Sequence, residues 1–591
     1  MPKFDLFYHK ISKINMNLFS DLSANDSYDP FSIANIQFFN PLYNELFHLD
    51  KNTYNKISLN HNFQFLDTNH IFDTTTKNTL EKPVFIKFSP LLDPTRYMVG
   101  KYKDFHSNFN NLPTFDDISG NVISKILDPN NVSYIDNFFY YLTSKTLHTH
   151  NFINSIDYYG SFLAIQKQFK VEISEDLEYL YSSSFFNNNI NSLFSVSTVN
   201  DEFHNFSSRA NKHRLCFSKS LKHNISVNSL PDIDNPITDS FIDNPITDSS
   251  IDNPITDSSI DSCSVIYEKT NFINSDNGDN NSTCSINSSS SSSDSNISNS
   301  TDDNDDDNDD DNDDDNNDDN NDDDDDSTCW ETDSNNDSNC EESFAYINNF
   351  PIQAICIERC KGTLDNLFEN ENLSSHDGVC ALFQVIMTLL CYQKSFHFTH
   401  NDLHTNNIMY NETDIDYLYY KYNKQIYKVP TYGKIYKIID FGRSIYRFNN
   451  RIYCSDSFGP SGDASTQYNC EPYLNIDKPR LDPNYSFDLC RLGCSLYDFI
   501  LDDDEDSDNF NDLQKIVQLW CTDDNGKNIL YKKNGEERYP DFKLYKMIAR
   551  TVHHHTPEAQ LKLTYFKQFE ISKNDISNQT IINIDDIPIY T

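Results

Sequence analysis

Two short stretches in the last third of the chain decide its fold: residues 399–410 read THNDLHTNNIMY, and residues 437–444 read KIIDFGRS. The first contains Asp402 and Asn407 as H-x-D-x-x-x-x-N, and the second contains Asp440 at the start of D-F-G. Phosphoryl transfer from ATP needs a carboxylate that meets the incoming hydroxyl, and it needs an amide and a second carboxylate that hold a metal on the phosphates. We therefore predict that Asp402, Asn407 and Asp440 are catalytic, with Asn407 and Asp440 as ligands of Mg²⁺ or Mn²⁺.

The composition argues against nucleic-acid binding. The 591 residues carry a formal net charge of −45, and aromatic residues make up 14% of the chain. Removing the 18 aspartates of residues 302–326 changes the net charge from −45 to −27, so the rest of the chain is still acidic. Phosphate backbones repel an acidic surface, and the sequence contains no basic stripe with interleaved aromatic residues.

The middle of the chain has the composition of an unfolded insertion. A nine-residue repeat places Ile233, Ile242, Ile251 and Ile260 in register, and a serine run and the Asp/Asn tract follow it. Apolar side chains are too few there to offset the entropy of ordering, and like charges extend the segment. We predict that residues 201–345 form a disordered acidic insertion. Such a segment is either solvated and functionless, a loose Ca²⁺ binder, or a docking element for a basic partner.

Cysteine usage and the N-terminal sequence predict a cytoplasmic protein. All 14 cysteines follow residue 215 and none forms a C-x-x-C pair, which favours reduced thiols over disulfides or zinc. The opening MPKFDLFYHKISK lacks an apolar core, and no run of 18 apolar residues occurs. These features predict neither a secretion signal nor a transmembrane segment.

Five motifs in order resemble the protein kinase fold, and specifically the divergent serine/threonine kinase-like proteins of large DNA viruses. Besides the two opening stretches, PVFIKFS at 83–89 resembles the third strand, and ICIERCKGTLDNL at 355–367 resembles the hinge and the helix after it. DLCRLGCSLYDF at 488–499 resembles the buried helix that braces the catalytic loop. The resemblance covers roughly residues 57–165 and 346–560. A viral source would place the protein in the host cytoplasm or in the virion.

The resemblance implies a role for each matched residue. Lys87 would hold ATP phosphates, Asp402 would orient the substrate hydroxyl, and Ile357 would line the back of the adenine pocket. Glu358 and Cys360 would offer backbone groups, not side chains, to adenine. The residues with an implied structural role are His400, Phe441, Gly442 and Asp488, the last acting through backbone hydrogen bonds.

The chain departs from the kinase pattern in four places. No glycine precedes Gly100, so a glycine-rich phosphate loop is missing before Lys87, and Asn-rich turns at 60–62 or 67–69 would cover ATP less well. Asp136 is the only acid in the helix predicted at 134–147, one or two turns too early to pair with Lys87. Asn401 replaces the usual arginine, which disfavours control by activation-loop phosphorylation. His404 stands where a lysine is usual, a form also found in small-molecule phosphotransferases.

The predicted architecture is α+β, a two-lobed protein kinase-like fold with a small β-rich N-lobe and a larger helical C-lobe. The function expected is that of an ATP-dependent serine/threonine protein kinase with an unknown protein substrate. Two alternatives stay open: a pseudokinase scaffold that binds nucleotide weakly or not at all, and a small-molecule kinase. The predicted segments are an N-terminal extension (1–56), the first part of the N-lobe (57–200), the insertion (201–345), the last N-lobe strand and hinge (346–362), the C-lobe (363–570) and a tail (571–591).

Overall fold

The computed structural model describes residues 8–10, 28–47, 49–55, 57–59, 62–105, 108–116, 121–197, 343–370, 373–501, 509–540, 542–572, 576 and 579–591. The repeat, the serine run and the acidic tract all lie outside these residues, so the predicted disordered insertion stays a prediction.

The described residues form a mixed α and β structure, in agreement with the predicted class. The strands are β1 (Tyr8–Lys10), β2 (Ile33–Gln37), β3 (Ile57–Leu59), β4 (Phe63–Phe65), β5 (His70–Asp73), β6 (Thr79–Glu81), β7 (Val84–Pro90), β8 (Tyr158–Glu172), β9 (Phe194–Val196), β10 (Phe344–Glu358), β11 (Gly362–Thr363), β12 (Ile408–Glu412), β13 (Tyr417–Tyr422), β14 (Gln425–Pro430), β15 (Lys434–Ile438), β16 (Ile445–Phe448), β17 (Arg451–Cys454), β18 (Glu570–Ile571) and β19 (Ile581–Asn583). The helices are α1 (Tyr43–Leu46), α2 (Pro94–Met98), α3 (Ser124–Leu127), α4 (Val132–His150), α5 (Leu177–Ser182), α6 (Ser184–Asn189), α7 (Leu364–Asn370), α8 (Ser375–Phe396), α9 (Phe487–Ile500), α10 (Asp512–Trp520), α11 (Phe542–Thr551), α12 (Pro557–Gln560) and α13 (Thr564–Lys567).

A five-stranded antiparallel sheet carries the first half of the described chain. Its order is β2-β8-β10-β7, and β9 pairs with the start of β10 on the edge opposite β8. The end of β10, residues 350–358, is buried on both faces of the sheet, as expected for a mostly apolar strand that is covered on both sides. Strand β2 lies on β8, so a part of the predicted N-terminal extension belongs to the sheet.

Helix α4 is fixed against the end of β7 by its first turn. Asn131 caps the helix by accepting from Ser133 N, and its Nδ2 donates to Leu91 O at 2.9 Å. The Ser133 hydroxyl lies 2.8 Å from Ser89 Oγ and from Pro90 O. These bonds set the register between α4 and β7, and with it the side chain that lies over each residue of the strand.

Helix α8 is the central helix of the second half of the chain. Ser374 caps it by accepting from Asp377 N, and the helix ends at His397, whose φ of 48° is left-handed. It is long and apolar enough to cross a membrane by length and composition alone, but 94% of its most apolar window is buried inside the protein. That burial is consistent with the core helix of a soluble protein.

A β-hairpin follows the 399–407 segment and β12. Strands β13 and β14 pair antiparallel, β18 adds to β14, and β19 adds parallel to β13. Part of the predicted C-terminal tail therefore completes this sheet. The nine described cysteines are all free thiols, and eight of them are buried.

Candidate active site

Lys87 projects from β7 into a cluster of two carboxylates. Its Nζ lies 2.7 Å from Asp136 Oδ2 and 2.9 Å from Asp440 Oδ1. The expectation that Lys87 lacks an acidic partner on the helix is wrong. The bonds of Ser133 to Ser89 and Pro90 place the first turn of α4 at the end of β7, and this register brings Asp136 within reach of Lys87.

The second oxygen of Asp136 holds the backbone of the D-F-G motif. Asp136 Oδ1 accepts from Phe441 N at 2.7 Å, and Tyr140 Oη accepts from Asp440 N at 2.9 Å. Asp440 has a left-handed backbone with φ of 61°, which an aspartate adopts at a cost only where its surroundings fix it. Helix α4 therefore orients Asp440 directly, through two of its side chains.

Aromatic packing against α4 also fixes the D-F-G segment. Phe441 is fully buried, and its ring centroid lies 4.7 Å from that of Phe139 and 4.8 Å from that of Tyr140. Gly442 follows and packs closely against Val132. A Cβ added at Gly442 would lie 3.0 Å from Val132 Cγ2, so a larger residue would crowd this contact. The predicted structural roles of Phe441 and Gly442 rest on these contacts.

The charges of the cluster leave a net negative site. Burial raises the pKa of Asp136 above its usual range, with Asp440 adding to the effect, even though Lys87 opposes it. Burial also acts on Asp440, but Lys87 outweighs it and holds the pKa of that carboxyl below its usual range. For Lys87, burial is outweighed by Asp136 and Asp440, so its pKa is raised and it stays charged. One ammonium between two carboxylates suits a cation bound alongside.

Asp488 holds residues 400 and 401 through their backbone, as the resemblance implies. Its carboxylate accepts from His400 N at 2.9 Å and from Asn401 N at 2.8 Å. His400 Nε2 donates to Ile439 O at 2.9 Å, which fixes that tautomer, and burial lowers the pKa of the ring. The 399–407 and 437–444 stretches are thus joined side by side, and Ile439 N donating to Asn407 O at 3.0 Å adds a second link.

Asn407 has its amide turned so that one atom is left for a ligand. Its Nδ2 donates to Asp402 O and to His404 Nε2, each at 2.9 Å. The side-chain oxygen is the remaining polar atom, and it is the atom that a hard cation requires. The described residues contain no group of three or more His, Cys, Asp or Glu side chains able to hold a metal. Asn407 and Asp440 suit Mg²⁺ or Mn²⁺ only where nucleotide phosphates supply further oxygens.

Asp402 lies nearly buried, 8% exposed, among groups that favour its ionised form. Burial alone would raise its pKa, but Arg443, His404, Arg491 and a hydrogen bond from Tyr545 outweigh burial and lower the pKa. Tyr545 Oη, on α11, lies 2.7 Å from Asp402 Oδ1. An ionised carboxylate at this position can accept a hydrogen bond from a hydroxyl.

The hinge predicted at 355–367 begins at the end of β10. Ile357 pairs with Phe85 and Tyr158 and is 3% exposed, and Cys360 is half-buried, with burial raising the pKa of its thiol to about 12. Glu358 differs from the expectation that it contributes only backbone. Its N–H donates to Asp157 O at 3.0 Å, and its side chain is 9% exposed.

The Glu358 carboxylate forms a buried junction between four segments, which we call the Glu358 junction. It accepts from Lys437 Nζ at 2.5 Å, from Asp157 N at 2.8 Å and from Asn411 Nδ2 at 3.1 Å. Lys437 Nζ also donates to Ser155 O at 2.8 Å. The side chain of Glu358 is therefore a structural element that ties β10 to β12 and β15.

The turn at 67–69, one of the two candidates for covering phosphates, is hydrogen-bonded to the start of β7 near Val84 and not near Lys87. Asp67 Oδ1 accepts from Asn69 N at 2.7 Å, and Val84 N donates to Thr68 O at 2.8 Å. Val84 pairs with Glu358, three residues before Lys87 in the strand, so the turn lies toward the hinge end of β7. The other candidate, at 60–62, falls largely outside the described residues.

Sequence reasoning missed four residues around the site. Asp136 was present but assigned to the wrong turn, and Glu358 was assigned to backbone contacts only. Asn401 is fully buried, accepts from Tyr468 Oη at 2.8 Å and donates to Arg443 O at 3.0 Å, so it holds the loop where an arginine was expected. Tyr545 lies 143 residues from Asp402, and no local pattern in the sequence marks that contact.

One of the comparisons with known proteins gives a partial match to a protein kinase. No protein-family profile matches the chain. The mouse serine/threonine-protein kinase haspin is 27% identical over 129 residues, which are 21% of this chain and 16% of haspin. The chain thus matches about a sixth of the length of that relative, and the match indicates kinase-like similarity over about a fifth of the chain.

Proposed function

We propose that the chain is an ATP- and divalent-metal-dependent phosphotransferase of the protein kinase fold that acts on serine or threonine in proteins. The observation that carries the proposal is the ion pairing of Lys87 with both Asp136 and Asp440. Three residues distant in sequence meet there, on β7, on α4 and at the start of D-F-G. The partial similarity to haspin supports the same conclusion.

Each residue has a physical task under this proposal. Lys87, kept charged and held by Asp136, neutralises charge on the ATP phosphates. Asn407 and Asp440 hold the metal, which supplies further positive charge to the transferring group when bound. Asp402 accepts the hydrogen bond of the acceptor hydroxyl and takes its proton. Positioning by the buried Asp488 and His400 keeps these groups in place without reorganisation during the reaction.

The proposal assigns two lobes to the structure. The five-stranded sheet with α4 would be the small lobe, and the part built on α8 and α9 the large one, with Glu358 and Cys360 between them. Adenine would then lie beside Ile357 at the end of β10. ATP is the expected cofactor, a protein the expected substrate, and the cytoplasm the expected location.

A nucleotide-binding scaffold is the second candidate, favoured by one specific feature. The sequence has no glycine before Gly100, and the described turn at 67–69 is bonded to β7 near the hinge instead of lying over Lys87. ATP would then be covered poorly, and its affinity would be low. The ionised Asp402 and the placement of Asn407 favour the enzyme over the scaffold.

The first prediction concerns metal-dependent nucleotide binding and transfer. ATP should raise the melting temperature only with Mg²⁺ or Mn²⁺, because without metal the triphosphate meets the carboxylates of Asp136 and Asp440. Asp440→Ala should lose both the thermal shift and transfer of radiolabelled phosphate. Asp402→Asn should keep the thermal shift and lose about 10²-fold or more in turnover.

A matched control separates this result from general damage. Asp498 lies ten residues after Asp488 on α9, about 15 Å further along the helix, and accepts a hydrogen bond from Tyr531. Asp498→Ala should retain ATP binding and turnover. An ATP-induced shift that is equal with EDTA, or wild-type protein that binds ATP without transfer, would favour the scaffold.

A further inference from the structure

Tyr545 meets the proposed catalytic carboxylate at hydrogen-bond distance. Its Oη lies 2.7 Å from Asp402 Oδ1, and Arg491 Nε lies 2.9 Å from the same Oη. Tyr545 belongs to α11 and Arg491 to α9, so α11 contacts the side chain of Asp402 directly and α9 contacts it through Tyr545.

The direction of the two hydrogen bonds follows from the groups involved. A guanidinium has only donors, so Arg491 donates to Tyr545 Oη. The hydroxyl has a single proton, which it must then donate to Asp402 because an ionised carboxylate only accepts. The chain Arg491 to Tyr545 to Asp402 is therefore oriented one way, and it ends in a charge-assisted bond.

The phenol ring is held from several sides. The guanidinium carbons of Arg491 and Arg443 lie 5.1 Å and 5.7 Å from its centroid, within the range of cation–π attraction. Phe542, one turn earlier on α11, stacks on the ring with centroids 5.4 Å apart and planes 15° apart. The position of Oη is thus set by the packing of α9 and α11.

A carboxylate with one oxygen anchored can offer the other in a single direction. Tyr545 occupies Oδ1 of Asp402, and among the described residues no hydrogen bond reaches Oδ2. Free rotation of the carboxylate would spread the accepting oxygen over many positions, whereas a base must meet the acceptor proton at hydrogen-bond distance. The backbone bonds from Asp488 fix the neighbouring main chain but leave the Asp402 side chain to be fixed by something else.

We propose, on the basis of the function proposed above, that Tyr545 is a positioning residue: its hydroxyl anchors Oδ1 of Asp402 so that Oδ2 faces the acceptor hydroxyl. Arg491 is the second positioning residue, since its donation to Tyr545 Oη directs the tyrosine proton toward Asp402. Helix α9 then supports the catalytic loop twice, through Asp488 on the backbone and through Arg491 on the side chain.

The test is Tyr545→Phe, which removes one oxygen and retains the ring between the two arginines. Turnover with radiolabelled ATP, Mg²⁺ and dephosphorylated casein should fall between about 10- and 100-fold, because a misplaced base costs that much. The KM for ATP and the ATP-induced thermal shift should stay within about twofold and about 1 °C of wild type, because the bond lies on the acceptor side. Added to Asp402→Asn, the change should cost nothing further in residual turnover.

The matched control is Tyr531→Phe, because Tyr531 Oη also lies 2.7 Å from an aspartate, Asp498, in the same part of the fold. It should leave turnover unchanged. If Tyr545→Phe does not fold, Arg491→Lys, which keeps the charge and loses the Nε donor, should lower turnover in the same direction.

Turnover of Tyr545→Phe equal to wild type, or turnover above it, overturns the inference while the proposed function stands. The second would mean that the hydroxyl obstructs the acceptor. Wild-type protein that binds ATP and shows no transfer to casein or to itself overturns the proposed function, and the inference with it. Equal losses in Tyr531→Phe and Tyr545→Phe would assign the effect to stability and also reject the inference.

Discussion

Single residues with the same chemistry perform different tasks in this structure, and the buried aspartates show it. Asp136 and Asp157 are each 1% exposed, and each is paired with a lysine. Burial and Asp440 raise the pKa of Asp136, so its ionised form is held at a cost. For Asp157, burial is outweighed by His148, Lys82 and Ser144, and the pKa lies far below the usual range. The first residue serves the site, and the second serves stability.

Asp136→Asn should therefore lower turnover more than stability. Asparagine keeps a single acceptor oxygen and no charge, so it can retain the bond from Phe441 N only by turning its NH2 group toward Lys87, which would keep Asp440 as its only partner. We expect turnover to fall between about 10- and 100-fold, because Lys87 is displaced from the phosphates. Turnover and the KM for ATP would be measured together with the melting temperature. A fall in melting temperature with unchanged turnover would contradict the assignment of Asp136.

Asp157→Asn is the matched comparison and should behave in the opposite way. Breaking a buried pair with Lys82 and His148 should cost about 3 kcal/mol in the free energy of unfolding, with a small effect on turnover. Because the folded pKa lies below the unfolded value, this stability is present above pH 4 and is lost as the pH falls through the acidic range. Wild type and variant should therefore converge in stability toward low pH, measured by denaturant unfolding.

At the level of elements, the segment after β17 is docked on the start of α4. Asp456 pairs with Lys125, accepts from Val132 N at 3.1 Å, and its own N–H donates to Asn130 O at 2.8 Å. The carboxylate lies at the helix N-terminus, where negative charge is favourable. Since α4 carries Asp136, a contact at its first turn bears on Lys87. The contact is formed by the Asp456 carboxylate itself and requires no phosphorylated residue.

Asp456→Asn and Lys125→Met should each lower turnover, and their effects should not add. We expect an interaction energy of about 1 kcal/mol in a double-mutant cycle on turnover, because both changes remove one contact. The exposed pair of Lys51 and Asp116 is the comparison, and breaking it should change nothing measurable. Additive losses from Asp456 and Lys125 would show that the contact does not act through α4.

The elements were largely predictable and their mutual register was not. The sequence predicts a strand at 83–89 and helices at 134–147 and 488–499, and β7, α4 and α9 lie there because each element depends mainly on its own sequence. The partner of Lys87 depends on the hydrogen bonds of Ser133 with β7, which set the height of α4. Tyr545 and Asn401 are equally out of reach, since their partners come from segments distant in sequence. Asp402, Asn407 and Asp440 could be proposed as site residues because the motif spacing within each stretch points to the chemistry.

At the level of the whole molecule, the two ends of the long segment between β9 and β10 meet. Ser197 N donates to Phe344 O, and Phe344 N donates to Ser197 Oγ, both at 2.8 Å. The two strands pair antiparallel just beyond this point. Residues 199–341 therefore leave and re-enter the structure at adjacent positions, and a short turn can join them.

Replacing residues 199–341 by a Gly/Asn turn of about four residues should leave the fold intact. Loop-closure cost depends weakly on length, so the melting temperature should stay within about 5 °C of the full chain. Melting, ATP-induced shift and turnover on casein would be compared between the two forms. Loss of folding would show that the segment packs on the rest. Loss of protein phosphorylation alone would make it a docking element for basic partners.

The Glu358 junction has a consequence for how this sequence can diverge. Removing one partner of a buried carboxylate lowers the free energy of unfolding by about 3–5 kcal/mol. The Glu358 carboxylate has both Lys437 and Asn411 as partners. We therefore expect exchange of one of the three alone to be disfavoured, so that the set is kept or replaced as a unit. The three residues lie at positions that can be recognised in a sequence. Glu358 ends the strand before the hinge, Asn411 lies four residues after Asn407, and Lys437 lies three residues before Asp440. Descendants of a common ancestor should be traceable by these three letters even where overall identity has decayed.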